Sequence, residues 1–231
     1  MTTTHTFSSD ARERLTEYLF APGRRLSVGL GERESACSIA AVNLAITGEL
    51  TDEIPKCMSL VIGLWVVGVQ DVMPAAMRNS ERWKRALIEA VGTGNEHERE
   101  RVSLLMDWTW GTVLPTVQPV ADKHGFGKAW RRMCTERTEE ATKRAVRVIP
   151  STKSLAALDA ASFAYTIVIP FGNSHVYPSC LTEYTARIAA YAVRAICPGD
   201  WGNLDAWASM DPVGLLERLV AVGAGVTGEA V

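Results

Sequence analysis

The sequence predicts an all-α protein, and three observations carry that expectation. Apolar residues recur at helical rather than alternating spacing along most of the chain. Serine, asparagine, aspartate and proline stand where helix starts need them, as in Asp211-Pro212. No run between these segments has the pattern of a buried parallel strand. The expected architecture is a multi-helix bundle of about nine or ten helices in one domain, 1–231. At its centre is an apolar helix at about residues 57–72.

Each element has its own signal. Asp10 and Glu13 have the spacing of a capping box ahead of "ARERLTEYLF". "APGRRLSVGLGE" is a loop by its glycines and proline. "SACSIAAVNLAIT" is apolar nearly all round and stops at Gly48. Thr51 or Asp52 is expected to open the next helix, with Pro55 in its first turn, running to about Val72. Ser80 can cap "ERWKRALIEAV". Asn95 with Glu98 makes another capping-box spacing, opening a helix through Val113 that Pro115 and Pro119 end or kink. One helix is expected from about Lys128 to Val148, with Pro150 as its stop. Ser151 can cap "TKSLAALDAASFAYTIVI", whose β-branched end at 166–171 allows a short extended piece. "PSCLTEYTARIAAYAVRAIC" and "DPVGLLERLVAV" complete the helices.

A faint internal echo runs through the chain. An alanine-rich helix, a glycine loop and then Pro55-Lys56-Cys57-Met58-Ser59 match a second passage ending in Pro178-Ser179-Cys180-Leu181-Thr182 in kind. A duplicated helical hairpin would give two pseudo-repeat halves, about 1–122 and 123–231. The stretch "ACSIAAVNLAITGELTDEIPKCMSLVIG" is similar to uncharacterised bacterial and phage proteins, a likeness to which no activity attaches.

Composition excludes several classes. Hydrophobic residues make up 47% and charged residues 22% of 231, the proportions of an ordinary folded domain, and the net charge is −2. The longest apolar stretch, "MSLVIGLWVVGV", is shorter than the ~20 residues of a membrane span. The first residues lack the apolar core of a signal peptide, so a cytoplasmic protein is expected. Five cysteines without a CxxC pair are expected to be free thiols, with Cys37, Cys57 and Cys134 in the core. His175 precedes Cys180 by five residues, but no second ligand pair follows, so no metal and no cofactor are expected. "SVGLGERE" and "HGFGK" lack the context of phosphate-binding loops, and no hydrolase or protease motif is present, so no catalytic residues are assigned.

Charge is segregated. Residues 123–153 hold nine Lys or Arg against three Glu, while residues 1–122 and the last 32 residues are acidic and 154–199 balance. On a continuous helix over 128–148, Arg137 and Arg144 share a side with Trp130, Cys134, Ala141 and Val148, so each requires an anionic partner. That partner is a carboxylate of Asp107, Asp71 or Asp159, or an external anion. Arg132 and Arg147 lie nearer the opposite side. Asp107 ends a strip of Glu96, Glu100 and Ser103 continued by Gly111, either a solvated edge or a partly buried acid beside Trp108 and Trp110. Asp71, near the C-terminal end of its helix, also wants a cation. Asn43 is expected to bond another helix. Trp65, Trp83, Trp108 and Trp110 lie in helical patterns and are expected in the core. Trp201 and Trp207, beside an acidic tail, are candidates for an exposed contact surface.

These readings favour a non-enzymatic binding protein acting through protein–protein contact, with itself or with a partner bearing charged patches. An inhibitor of a bacterial system, carried by a phage or other mobile element, fits the likeness noted above. The alternatives are an enzyme or sensor that binds a small anion such as a nucleotide at Arg137 and Arg144, and a nucleic-acid binder using 123–153. The overall acidity disfavours the last.

Overall fold

The computed structural model describes residues 7–152, 154–168 and 178–223. Its described residues are helical throughout, apart from loops and one two-residue hairpin. The protein is all-α, as expected.

Helix α1 (Ser9–Phe20) is capped by Ser8, whose hydroxyl accepts the Ala11 N–H, so Asp10 lies in the first turn rather than at the cap. The glycine loop holds a hairpin of β1 (Gly31–Glu32) and β2 (Ser35–Ala36). Gly31 has φ +73°, and a Cβ there would lie 2.1 Å from the Ser35 carbonyl oxygen, so only glycine fits. Helix α2 (Ser38–Ile46) starts at Cys37. The central apolar helix, α3, is Leu60–Gln70, and Pro55 is not part of it. The reason is Asn43: its amide donates to the carbonyls of Thr51 and Glu53, both at 2.8 Å, and holds that segment as a loop rather than bonding a helix. Helices α4 (Ala75–Arg78), α5 (Glu81–Ala90, capped by Ser80) and α6 (Glu98–Trp108) follow.

Pro115 has no N–H to give the Gly111 carbonyl, and its ring would collide with it in an α-helix. The chain widens instead into a π-helical turn, Thr109–Val113, with the Leu114 N–H bonded to the Thr109 carbonyl. Helices α7 (Leu114–Thr116) and α8 (Gln118–Lys123) lead to α9 (Gly127–Glu136) and α10 (Glu139–Val148). The single helix expected over 128–148 is therefore two. Arg137 adopts the left-handed conformation (φ 52°, ψ 35°) and ends α9, and the Thr138 hydroxyl caps α10. The tail of the chain is α11 (Leu155–Val168), α12 (Pro178–Ile196), α13 (Leu204–Met210) and α14 (Pro212–Ala221). Residues 166–168 are helical. The remainder of the possible extended piece and the glycine loop of the second echo passage lie outside the described residues.

The chain divides into two compact units: Met1–Arg101 with Pro212–Val231, and Val102–Asp211. In the first, α14 packs on α3 and α5, and α1 on α2. Val61, Ile62, Trp65, Val66 and Val69 of α3 are fully buried. The N-terminus of α3 is closed by side chains from three places. Ser59 accepts the Ile62 N–H, Asn95 accepts the Leu60 N–H, and Glu98 accepts both the Val61 N–H and the Ser59 hydroxyl. Asn95 and Glu98, read from their spacing as a capping box for their own helix, thus serve the neighbouring helix α3. Arg101, with no exposed surface, donates to Glu98 and to the carbonyls of Thr93, Gly94, Leu219 and Val222.

In the second unit α11 and α12 are the most closely packed pair. Ala157, Ala160, Ala161 and Ala164 of α11 and Ala186, Ala189 and Ala192 of α12 are all buried, small side chains that let paired helices approach closely. Four buried tryptophans, Trp108, Trp110, Trp130 and Trp207, complete the core, and three of them donate to backbone carbonyls. Trp108 donates to the Met210 carbonyl, Trp130 to that of Leu114 and Trp207 to that of Trp201.

Candidate functional site

Asp107 meets Arg137. The Arg137 Nη1 donates to Asp107 Oδ1 at 3.3 Å, with the two side chains 45% and 67% exposed. Asp107 is therefore not a buried acid, and its partner is one of the two arginines the sequence offered. The pair sits at a cleft of about 330 Å³ lined by Ser103, Met106, Asp107, Trp110, Arg137 and Val168. Four elements build it. Ser103, Met106 and Asp107 come from α6, Trp110 from the π-helical turn, Arg137 from the end of α9, and Val168 from the end of α11.

The local sequence explains the geometry. Ser103 and Asp107 are one helical turn apart, so both reach the same edge. The π-turn carries Trp110 inward, where it is 3% exposed. Gly111 has no side chain, and a Cβ there would lie 3.9 Å from the Arg137 guanidinium. Beneath Arg137, Cys134 is largely enclosed. Burial pushes its thiol up to about 12 against the opposing pull of the Arg137 charge.

The other predicted arginines do not join the cleft. Because the chain reverses at Arg137, Arg144 lies on the solvent face of α10, where Arg147 and Val148 are also exposed. The expectation that Arg144 shares the apolar side is wrong, since it assumed one continuous helix. Arg132 is exposed and pairs with Glu136 one turn along. Two more cations of the basic segment are paired: Arg131 lies 3.5 Å from Asp122, and Lys143 holds Glu139 below the ordinary glutamate value through a hydrogen bond and its charge.

Asp71 accepts the Gly29 N–H; burial lowers the Arg78 value, and the nearby Asp71 charge opposes that shift without forming an ion pair. Asp159 is pushed up by burial, with Arg194 pulling it back. Trp207 is fully buried and is not a contact residue. It shares the inward face of α13 with Ala206 and Met210, a face too short to read by periodicity. Of the thiols, Cys37 is buried, Cys57 and Cys134 are partly buried, and Cys180 is exposed. Among the described residues no group of three His, Cys, Asp or Glu is placed to hold a metal ion. No described helix is long and apolar enough to cross a membrane.

Trp201 is 51% exposed and belongs to a larger face. The Arg194 guanidinium lies 3.6 Å from its ring centre and 5.4 Å from that of Tyr191. Tyr191 stacks on Phe163 of α11 at 5.5 Å and 16°, Tyr184 lies 5.5 Å from the same ring, and Arg187 sits over it at 5.7 Å. Tyr184, Arg187, Tyr191 and Arg194 stand at spacings of three, four and three on α12, one stripe of that helix. The spacing of that repeat is legible in the sequence, although its overall charge does not set it apart as the basic segment 123–153 is set apart. Arg101 carried no such signal, being one charge among many in "EHERERV".

No protein-family model, no curated protein and no solved structure matches this chain.

Proposed function

We propose that this protein works by binding a protein partner, in the cytoplasm, through the face made by Phe163, Tyr184, Arg187, Tyr191, Arg194 and Trp201. The observation that carries the reading is the Arg194 guanidinium lying over the half-exposed Trp201 ring, 3.6 Å from its centre, continuous with the Phe163–Tyr191 stack. Tryptophan, tyrosine and arginine dominate the energetics of protein interfaces, because they offer large area at small entropic cost. Here each guanidinium already rests on a ring, so less freedom is lost when a partner binds. Arg187 is held by Glu183 one turn before it, at 2.6 Å, which leaves the Arg194 guanidinium as the cation of this face that fits a carboxylate on a partner. The pairing of Arg131, Arg132, Arg137 and Lys143 with carboxylates, together with the net charge of −2, favours this over a nucleic-acid reading.

The test is site-specific photo-crosslinking from position 201 in the producing cell, with Glu34, exposed in the other unit, as the control position. A protein captured at 201 alone is then purified, and its affinity is measured for Tyr191→Ala and Trp201→Ala. Each variant is expected to weaken binding by about 30-fold, the ~2 kcal/mol of an interface hot spot. Affinities within about twofold of wild type would overturn the reading. Self-association is measured alongside, by sedimentation of the wild-type and Trp201→Ala chains.

A further inference from the structure

We infer that the Asp107–Arg137 cleft binds a small zwitterion with an apolar side chain, the class of the apolar α-amino acids. This site is separate from the partner-binding face, and the inference does not depend on that reading.

Three independent features point to it. The first is the composition of the cleft. Met106, Trp110 and Val168 supply apolar lining, and Ser103, Asp107 and Arg137 supply the polar groups. Apolar walls with a few convergent polar groups are the usual make-up of small-ligand sites, and about 330 Å³ is at the small end of their range.

The second is the backbone of Arg137. Its φ of +52° is the left-handed conformation that ends helices, where glycine is the usual residue. An arginine there is strained, and such strain gathers at binding sites. The guanidinium is held at a position where the backbone alone favours glycine. Beside it lies the π-helical turn, a distortion that recurs at functional sites. Gly111 of that turn leaves the space next to the guanidinium open.

The third is the ion pair. One 3.3 Å contact between two well-exposed side chains is held loosely in water. A ligand carboxylate can take both guanidinium N–H groups in the bidentate geometry that Asp107 does not achieve here. Asp107, freed from Arg137, then faces the ammonium of the same ligand. A ligand with a carboxylate alone would meet repulsion from Asp107, and one with an ammonium alone would meet repulsion from Arg137. Only adjacent opposite charges satisfy both residues, and an apolar side chain then lies against Met106, Trp110 and Val168.

The experiment is isothermal titration of the full chain with leucine and phenylalanine, and with phenylpropionate and phenethylamine as half-charged probes. The wild type is expected to bind at least one of the amino acids, and at least about tenfold more tightly than either half-charged probe. Arg137→Gly keeps the left-handed backbone and removes the guanidinium. It is expected to melt as the wild type does and to lose at least about tenfold in amino-acid affinity. Asp107→Asn is expected to weaken amino-acid binding and strengthen phenylpropionate binding. No heat from either amino acid at about 10 mM overturns the inference, as does an Arg137→Gly chain that binds like wild type. Phenylpropionate binding the wild type as tightly as phenylalanine also overturns the zwitterion assignment.

Discussion

Replacing Arg101 with methionine removes the most heavily bonded side chain in the first unit. Its guanidinium is 1% exposed and makes five hydrogen bonds of 3.0–3.3 Å: one to Glu98 and one each to the carbonyls of Thr93, Gly94, Leu219 and Val222. Methionine fills much of the same volume, so the main loss is polar. Four carbonyls and one carboxylate lose a donor in a place where water enters poorly. Glu98 is 19% exposed and keeps its bonds from the Ser59 hydroxyl and the Val61 N–H, which limits the damage on that side. Breaking a buried pair of this kind costs on the order of 3–5 kcal/mol. For a chain of this length that lowers the melting temperature by roughly 6–20 °C. The control is Arg82→Met in the same unit, which breaks a well-formed bidentate pair with Glu217 whose side chains are 53% and 41% exposed. Its cost is expected at about 0–1 kcal/mol. Urea unfolding followed by circular dichroism measures both variants, and amide exchange in α14 locates the loss, since Arg101 bonds the last carbonyls of that helix. The reasoning is refuted if Arg101→Met costs less than about 1 kcal/mol, or if Arg82→Met costs as much.

Three further outcomes are expected. In the folded protein at pH 8, iodoacetamide should modify Cys180, which is exposed, while Cys134, its thiol pushed up to about 12 by burial, stays unmodified until denaturant is added; mass spectrometry of tryptic peptides reads this out. Gly31→Ala should destabilise by about 1–3 kcal/mol, because a positive φ is joined to a collision with the Ser35 carbonyl, and Gly48→Ala by less, since its Cβ would meet nothing within 4 Å; chemical denaturation distinguishes them. Glu139 should titrate below the ordinary glutamate value of 4.5 in a carboxyl-detected NMR titration. Because its folded value is depressed, its stabilising contribution is whole above that pH and fades as pH falls through the folded value; Lys143→Met should remove most of the shift.

The elements that could be read from sequence are those whose cause is local. Ser80 before "ERWKRAL" caps α5 as its spacing requires, and Pro212 opens α14 because a first-turn residue needs no N–H. The other elements depend on a distant partner or on a local cap that the surrounding helical pattern masks. Nothing in "TDEIPKC" says that Asn43 will hold it as a loop. Nothing in "MCTERTEEA" favours a reversal except Thr138, a good cap hidden inside a segment of strong helix formers. That one missed cap moved Arg144 from a predicted apolar side to the solvent. It also left Arg137 as the sole predicted arginine of the cleft. The Asp107–Arg137 contact was foreseeable as a candidate, since an arginine on the apolar side of its helix requires an anion and Asp107 is one of the acids beside apolar residues. The cleft was not, because Met106 and Val168 are ordinary apolar residues until the fold brings them to one edge.

The buried arginines show why charge patterning is an unreliable guide to anionic partners. Pattern reasoning holds that an arginine on an apolar side must meet a carboxylate. Arg78 is 7% exposed, and its hydrogen bonds go to the carbonyls of Leu26, Gln70 and Met73. Arg101 bonds one carboxylate and four carbonyls. In both cases the carbonyls include those at a helix end, α3 for Arg78 and α14 for Arg101. The last turn of a helix leaves four carbonyls without intrahelical donors, and the macrodipole adds partial negative charge there. A helix C-terminus is thus an anion that no sequence count of Asp and Glu includes. It also solves a second problem, since those carbonyls are costly to bury unpaired. A guanidinium with five donors in one plane can satisfy several of them at once, which a lysine with three cannot. Arg101→Lys should therefore recover only part of the stability lost in Arg101→Met. Full recovery would mean that net charge, and not the number and direction of donors, is what the carbonyls of Leu219 and Val222 require.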